Sequence, residues 1–358
     1  MKLSYIFIGI GIALLIFLFL IPFFIGSRIS SDTGRNIGIF KSVDGGLSWS
    51  LAVRSSELTA SLPRNVLSFV FHPKDARIIY LGTKGGGLWV SKTGGETWAR
   101  ITDAKGDLKP TAEIYDISIS PRNPDVIYLA AYQDDYGKVF RSNDGGLSFD
   151  EVYIVSLRRY GVFGVAADSS AVNRVYLITG QGGFLVSDDR GDSWHVEKWF
   201  PDGLVRLIAN PINNGEFYVV SSRGELYRTE NAGESWLRLS EGYRVFQGAG
   251  EIQDVTLDAS NTSTIYTGSK FGVLRSQNSG KIWRAVPVII PPTALPVRAV
   301  VIDPRNSAKI FVSAASTVYR SDDFGERWQI LQLPTVEPIK MLRVSPEDSN
   351  VIYAIAGR

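Results

Sequence analysis

Apolar and polar positions divide the chain into two unequal parts. Residues 3–26 form an uncharged, strongly apolar run, with Lys2 before it and Arg28 after it. As a helix this run would extend about 36 Å, enough to cross a hydrocarbon core of about 30 Å. The run is also longer than the apolar core of about 7–15 residues typical of a cleaved signal peptide. The pattern predicts a transmembrane anchor (or uncleaved signal) over residues 1–26 and a polar linker over 27–36.

After the linker, short apolar runs alternate with polar turns, and no stretch has sustained helical periodicity. One segment recurs seven times: an apolar run, often ended by Pro, then a polar turn, then Ile-Tyr or a similar pair. Examples are residues 69–73 before 79–80 and residues 117–121 before 127–128. In every copy the Pro, or the residue that replaces it, lies seven positions before the aromatic residue. Pro would end an inner strand and begin the turn, so the segment predicts two consecutive strands.

A second motif also occurs seven times, at intervals of 42 to 51 residues. It consists of Ser or Thr, usually Asp or Asn two positions later, Gly at the fifth position and Trp or Phe at the eighth. Asp and Asn can bind amides of their own turn, and Gly allows positive φ, so the motif predicts a hairpin with a buried aromatic peg. Its structural residues include Asp44, Trp49, Asp144, Asp189, Trp194, Trp236, Trp283, Asp323 and Trp328. Thr93, Asn231, Asn278 and Phe149 replace the commoner residue in other copies.

Each period therefore contains four short strands, and four-stranded units repeated radially form a β-propeller. The chain has seven inner segments and seven hairpin motifs. We predict an all-β, seven-bladed β-propeller over residues 37–358. Because this region begins with a third strand and ends with a second strand, we expect both termini to complete the final blade.

The hairpin motif resembles the Asp-box, or BNR repeat. In Asp-box families the motif joins the third and fourth strands of a blade and lies on the rim, away from the ligand face. The resemblance implies one of two kinds of function. Some Asp-box propellers are glycoside hydrolases, such as sialidases and xyloglucan-active enzymes. Others bind proteins or peptides, such as sortilin-type receptors and photosystem II assembly-factor propellers.

Composition excludes several other classes of function. The net charge of +2 gives no electrostatic basis for binding nucleic acid. The chain has no cysteine, and its two histidines, His72 and His195, fall in different repeats. We therefore expect neither a metal site nor a cofactor. Long domains cross membranes largely regardless of their charge, and we predict that the propeller is membrane-anchored and extracytoplasmic, in the periplasm or at the cell surface.

One position of the repeat is a candidate functional position, because it lies near the start of each inner strand, where propellers open toward a central pocket. Five residues before the Pro position stand Ser68, Asp116, Gly164, Arg206, Asp254, Ala299 and Met341. The charged members Asp116, Arg206 and Asp254 either face the pocket or tie neighbouring blades together, and both interpretations stay open. Glycoside hydrolysis needs two carboxylates about 5–10 Å apart, which Asp116 and Asp254 could supply across the channel.

Loops that lead into the inner strands carry a second set of candidates. Together with Arg206 they form a predicted binding face: Arg64, Arg158, Arg159, Tyr160, Arg298 and Lys340. Arg and Tyr suit recognition surfaces, although scattered solvated charges would give the same sequence.

The resemblance to Asp-box propellers favours a binding function over an enzymatic one. Sialidases would have an Arg-Ile-Pro segment and three clustered arginines, which are not recognisable here. Xyloglucan-active enzymes resemble two such propellers in tandem, whereas this chain has one. A single ring with a membrane anchor resembles the photosystem II assembly-factor and sortilin-type propellers most. We therefore predict a non-catalytic scaffold that binds a protein partner at the extracytoplasmic membrane face, with no catalytic residues. The alternative is a glycoside hydrolase or glycan-binding propeller that uses Asp116 and Asp254.

Overall fold

Each repeat of the sequence folds into one four-stranded antiparallel sheet. The structure, a computed structural model, describes residues 38–52 and 65–357. Seven such sheets, or blades, follow one another around a central axis. The strands are short, two to nine residues each, because turns that contain Gly, Asp or Pro end the apolar runs. This arrangement confirms the predicted all-β, seven-bladed propeller.

The strands of the first part of the chain are as follows. The first two strands of the described residues are β1 (Gly38–Ser42) and β2 (Ser50–Leu51). Blade 1 contains β3 (Val66–His72), β4 (Asp75–Thr83), β5 (Leu88–Ser91) and β6 (Ala99–Arg100). Blade 2 contains β7 (Glu113–Ile119), β8 (Ile127–Gln133), β9 (Tyr136–Ser142) and β10 (Asp150–Ile154). Blade 3 contains β11 (Val162–Ala167), β12 (Val175–Thr179), β13 (Gly183–Ser187) and β14 (His195–Trp199).

The second part repeats the same order. Blade 4 contains β15 (Leu204–Ala209), β16 (Phe217–Ser221), β17 (Leu226–Thr229) and β18 (Leu237–Arg238), followed by a short 3-10 helix, Ser240–Tyr243. Blade 5 contains β19 (Ile252–Leu257), β20 (Ile265–Ser269), β21 (Val273–Ser276) and β22 (Arg284–Val286). Blade 6 contains β23 (Val297–Asp303), β24 (Asn306–Ala314), β25 (Thr317–Ser321) and β26 (Gln329–Gln332). Blade 7 contains β27 (Ile339–Val344) and β28 (Ile352–Ala356), together with β1 and β2.

Pairing between the two ends of the described chain completes blade 7. Strand β1 runs antiparallel to β28, so that Gly38 faces Ala356 and Ser42 faces Ile352. The resulting strand order, β2-β1-β28-β27, matches that of the other blades. The ring therefore closes through backbone hydrogen bonds, and closure removes open sheet edges that would otherwise pair with other chains.

The hairpin between the third and fourth strand is held by its own side chains. In blade 3 the buried Ser187 Oγ accepts the amide of Gly191 at 2.7 Å and donates to Asp189 Oδ1 at 2.8 Å. Asp189 Oδ1 in turn accepts the amide of Ser193 at 2.8 Å. Asn231 and Asn278 accept the equivalent amides at 3.0 and 2.8 Å, which explains why Asn can replace Asp.

The aromatic pegs connect the hairpins to neighbouring blades. Trp98 and Phe149 are fully buried. Three indole N–H groups donate to a carbonyl of the preceding blade: Trp98 to Ala52, Trp194 to Val152 and Trp328 to Pro287, at 2.9–3.2 Å. Large buried aromatic surface with a satisfied N–H stabilises the contact between blades.

The predicted anchor (1–26) and linker (27–36) lie outside the described residues, as does Arg64. Among the residues that the structure describes, no helix is long and apolar enough to cross a bilayer.

We expect Ser187→Ala to destabilise the propeller more than Ser193→Ala does. The first change leaves the buried Gly191 amide without its acceptor, which costs about 1–3 kcal/mol of the free energy of unfolding. The second removes only an exposed hydroxyl that donates to Asp189. Urea denaturation followed by tryptophan fluorescence measures both, and equal midpoints for the two variants would contradict the assignment.

Acid should destabilise the hairpins through their aspartates. Hydrogen bonds from Ser48, Ser148 and Ser193 lower the pKa of Asp44, Asp144 and Asp189 from 3.8 to about 2. Because the folded-state pKa is lowered, this stabilisation is complete above about pH 4 and is lost as the pH falls toward 2. Replacing all three with Asn should keep the backbone contacts and flatten the change in thermal midpoint between pH 4 and 2. An unchanged slope would disprove the interpretation.

Candidate functional site

Every inner strand carries a β-bulge near its start. In blade 1, Val66 faces Thr83 and Ser68 faces Gly82, so Leu67 is the extra residue. The same shift occurs in all seven blades. A bulge turns the extra side chain away from the regular alternation and is often found beside functional sites. We call these seven extra residues the bulge ring: Leu67, Tyr115, Phe163, Val205, Gln253, Arg298 and Lys340.

A cavity of about 530 Å³ lies at the centre of the propeller and is lined by residues from all seven inner strands. Four members of the bulge ring line it, namely Leu67, Tyr115, Phe163 and Val205. The position that follows the bulge, which the sequence analysis singled out, contributes Ser68, Asp116, Arg206, Asp254 and Met341. The cavity therefore combines an apolar and aromatic wall with charged groups, as ligand sites usually do.

Asp116 binds two backbone amides and also lines the cavity. Its Oδ1 accepts the amide of Ile117 at 2.9 Å, and its Oδ2 accepts the amide of Val165, in the next blade, at 3.1 Å. The residue is half-buried and stands at the wall of the cavity. Desolvation of its carboxyl outweighs the two amides and the distant arginines, and it raises the pKa of Asp116 to about 7. Each oxygen keeps a second lone-pair direction for a further partner.

Asp254 has a different electrostatic environment. It is buried, and Arg206 forms an ion pair with its Oδ1. Its Oδ1 also accepts the amide of Val255 and its Oδ2 that of Val300, in the next blade, both at 3.0 Å. Arg206 donates in addition to the carbonyl of Gln253 at 2.9 Å. The two carboxylates thus share one backbone role, but only Asp254 has a guanidinium beside it.

Arg343 is a cavity residue that the sequence analysis missed. It lies on β27, two positions after Met341, and it lines the cavity. Its guanidinium donates to the carbonyl of Leu342 at 2.8 Å. Burial lowers the pKa of Arg343, whereas the charges of Asp254 and Asp116 raise it. Strand alternation is the signal that could have found it, because residues two apart share one face of a sheet.

The bulge ring has a fixed aromatic pair. The ring centroids of Tyr115 and Phe163 lie 4.8 Å apart in an edge-to-face arrangement with an interplanar angle of 71°. The hydroxyl of Tyr115 donates to Glu113 Oε2 at 2.6 Å, and burial raises the pKa of Tyr115. Both rings are half-buried and line the cavity, so each presents part of its surface to a ligand.

The residues of the predicted binding face fall in three different places. Arg206 lies in the cavity, and Arg298 and Lys340 are members of the bulge ring. The β10–β11 connection holds the exposed Arg158, Arg159 and Tyr160. There Arg158 pairs with Asp135 at 2.8 Å and lies 5.8 Å from the ring centroid of Tyr136. Arg159 has a positive φ of 67°, and its amide donates to the carbonyl of Asp135 at 2.8 Å.

Comparison with known proteins gives similarity to polysaccharide-degrading enzymes. No protein-family model matches the chain. An oligoxyloglucan-reducing end-specific xyloglucanase from Emericella nidulans is 25% identical over 189 residues, which cover 48% of this chain and 23% of that protein. The chain thus aligns with about a quarter of that relative's length.

Two solved structures show the same fold. The xyloglucanase from Xanthomonas campestris superposes with a TM-score of 0.68 at 19% identity, covering 81% of this chain and 50% of that one. YCF48 from Cyanidioschyzon merolae superposes with a TM-score of 0.63 at 15% identity, covering 81% of this chain and 95% of that one.

These comparisons correct one prediction. The main prediction of a non-catalytic, protein-binding scaffold is wrong, because the curated relatives are xyloglucanases and solved xyloglucanases share the fold. A single ring does not argue against an enzyme, because this chain superposes on about half of the Xanthomonas campestris xyloglucanase. The findings favour the alternative, a glycoside hydrolase or glycan-binding propeller.

The unusual pKa of Asp116 can be measured directly. In a carbon-13 NMR titration of aspartate-labelled protein, one carboxyl resonance should titrate near pH 7 and be absent from Asp116→Asn. Arg206→Gln should raise that pKa further, because the positive charge of Arg206 lowers it in the native protein. A midpoint close to 3.8 would contradict the proposed desolvation.

Proposed function

We propose that the propeller is a glycoside hydrolase that acts on a xyloglucan-type polysaccharide, with its reaction centre in the central cavity. The observation that carries the proposal is the pair Asp116 and Asp254. Both line one cavity, in a chain similar to xyloglucanases, and their environments differ. Two carboxyl groups in unlike environments are the usual arrangement for an acid and its partner carboxylate.

Asp116 is the general acid in this proposal. A pKa of about 7 leaves a substantial fraction of the group protonated at neutral pH. The acid can then donate its proton to the oxygen of the glycosidic bond as that bond breaks. The amides of Ile117 and Val165 orient the carboxyl group, and they stabilise the carboxylate that remains after proton transfer.

Asp254 is the second carboxylate. Its ion pair with Arg206 and the amides of Val255 and Val300 hold it in a fixed position. There it can stabilise positive charge that develops on the sugar ring or activate a water molecule. Arg206 acts through Asp254 and is a positioning residue.

The proposal also covers the hairpin type, the N-terminal segment and the location of the protein. We take the seven hairpins to be Asp-boxes, residues 1–26 to be a membrane anchor, and the propeller to be extracytoplasmic. The ligand is a glycan, and hydrolysis by two carboxylates needs neither a metal nor another cofactor.

Fractionation of cells that express the full chain, compared with a chain starting at residue 27, tests the anchor. Equal recovery of both in the soluble fraction would disprove it.

Hydrolysis is tested with xyloglucan and its oligosaccharides, with new reducing ends as the readout. We expect Asp116→Asn and Asp254→Asn each to lower the rate at least about a hundredfold, since each removes a group needed for proton transfer or charge stabilisation. Asp150→Asn is the matched control. Asp150 lies on β10, the outermost strand of blade 2, and pairs with Lys105. Its rate should equal that of the native chain.

Circular dichroism and thermal midpoints of the three variants separate loss of chemistry from loss of fold. If the native chain releases no reducing ends, or if activity survives both cavity substitutions in folded protein, the proposed function is wrong.

A further inference from the structure

We propose that the bulge ring is a subsite for a sugar that carries a carboxylate, that is, a uronic acid. The sugar ring would lie against Tyr115 and Phe163, and its carboxylate would bind Arg298 and Lys340. The inference rests on the proposed function in taking a glycan as the ligand of the cavity. It goes further by assigning a charged substituent to that glycan, at residues distinct from the two reacting carboxylates.

The order of residues around the bulge ring separates it into two arcs. Blades 1 to 4 contribute Leu67, Tyr115, Phe163 and Val205, which form an apolar arc. Blades 5 to 7 contribute Gln253, Arg298 and Lys340, which form a polar arc with two cations. Because all seven residues occupy the same bulge position, the two arcs lie on opposite sides of the central axis, and the apolar arc lines the cavity. A ligand that fills it needs an apolar face on one side and negative charge on the other.

The aromatic pair in the apolar arc is already fixed in position. Tyr115 is held by its hydrogen bond to Glu113. Phe163 lies over Gly161 and Gly180, where an added Cβ would come within 2.8 Å of the ring. These glycines leave the space that the phenyl ring occupies. Because both side chains are already held in place, they lose little conformational entropy when a ligand binds. Their aromatic faces suit the apolar C–H face of a pyranose.

The two cations in the polar arc have no counter-ion among the described residues. Three cations in nearby connections, by contrast, each form an ion pair. Arg158 contacts Asp135 at 2.8 Å, Arg223 contacts Asp202 at 3.0 Å and Lys270 contacts Glu251 at 2.9 Å. Arg298 and Lys340 are half-buried, but no described side chain forms an ion pair or hydrogen bond with either of them.

Partial burial makes these unpaired charges receptive to an anion. Burial lowers the pKa of Lys340, because its ammonium group loses water and no described carboxylate pairs with it. A bound carboxylate would supply that charge. The planar guanidinium of Arg298 favours a planar carboxylate, which it can bind through two parallel hydrogen bonds. Inside the cavity, by contrast, Arg206 and Arg343 face Asp116 and Asp254, so that region is already balanced.

The test compares the binding of two oligosaccharides that differ only in one group. Isothermal titration calorimetry measures the affinity of the native chain for a neutral β-glucan oligosaccharide and for its glucuronate-bearing counterpart. We expect the acidic ligand to bind at least about tenfold more tightly, from two charge-assisted contacts. In Arg298→Met/Lys340→Met, that preference should vanish while neutral affinity stays within about twofold.

Matched controls lie on outermost strands. Arg284→Met/Lys198→Met removes one exposed residue of each kind from β22 and β14, and it should leave the preference intact. Phe163→Leu should weaken both ligands, whereas Trp199→Leu, an exposed aromatic residue on β14, should weaken neither. Thermal midpoints confirm that each variant is folded.

Three outcomes overturn the inference: equal affinity for the two oligosaccharides, a preference that survives the double substitution, or tighter binding of a carboxylate-bearing peptide than of either sugar. Binding is measured apart from turnover, so the two proposals can fail separately. An acid preference without hydrolysis would sustain the subsite and refute the enzyme, whereas hydrolysis of neutral xyloglucan without a preference would do the reverse.

Discussion

A carboxylate that reaches across to the backbone of the next blade is the contact on which the centre of this propeller depends. Asp116 accepts the Val165 amide, and Asp254 accepts the Val300 amide. The inner strands of adjacent blades are not joined by a continuous sheet, so these bonds, like the one that the Ala167 amide donates to Ser118 Oγ, connect neighbouring blades. The same oxygens line the cavity. The groups best placed for chemistry are therefore held by the architecture itself, which fixes their orientation before any ligand arrives.

The shared β-bulge lets each inner strand supply two kinds of residue. The residue after the bulge, such as Asp116 or Asp254, connects blades and lines the cavity. The extra residue belongs to the bulge ring. Without the bulge, alternation would send neighbouring residues to opposite faces of the blade. A one-residue insertion in each inner strand thus places the aromatic pair Tyr115 and Phe163 at the cavity beside Asp116 and puts Arg298 and Lys340 at the equivalent positions of blades 6 and 7.

Much of the fold follows from the sequence, because its signals are local and repeated. The spacing of the hairpin motifs predicts the number of blades. In each turn the first Ser or Thr and the Asp, Asn or Thr two positions later bind backbone amides of that turn. Three residues at the candidate position of the repeat, Asp116, Arg206 and Asp254, line the cavity. The bulge escaped detection because one extra residue leaves no mark on a short apolar run. Arg298 and Lys340 were therefore expected in loops, and the structure places them in strands β23 and β27.

Function was harder to predict for a physical reason. A propeller of this kind is the same scaffold in enzymes and in binding proteins, and the difference lies in a few side chains at its centre. The protonation state of Asp116 depends on burial, which no sequence pattern gives. Arg343 likewise becomes important only through its closeness to Asp116 and Asp254.

The most direct test is a crystal structure of the chain with a glucuronate-bearing β-glucan oligosaccharide. We expect one sugar ring against Tyr115 and Phe163, its carboxylate on Arg298 and Lys340, and a glycosidic oxygen within hydrogen-bonding distance of Asp116. An oligosaccharide bound on the outer rim of the blades, with the central cavity unchanged, would contradict the account.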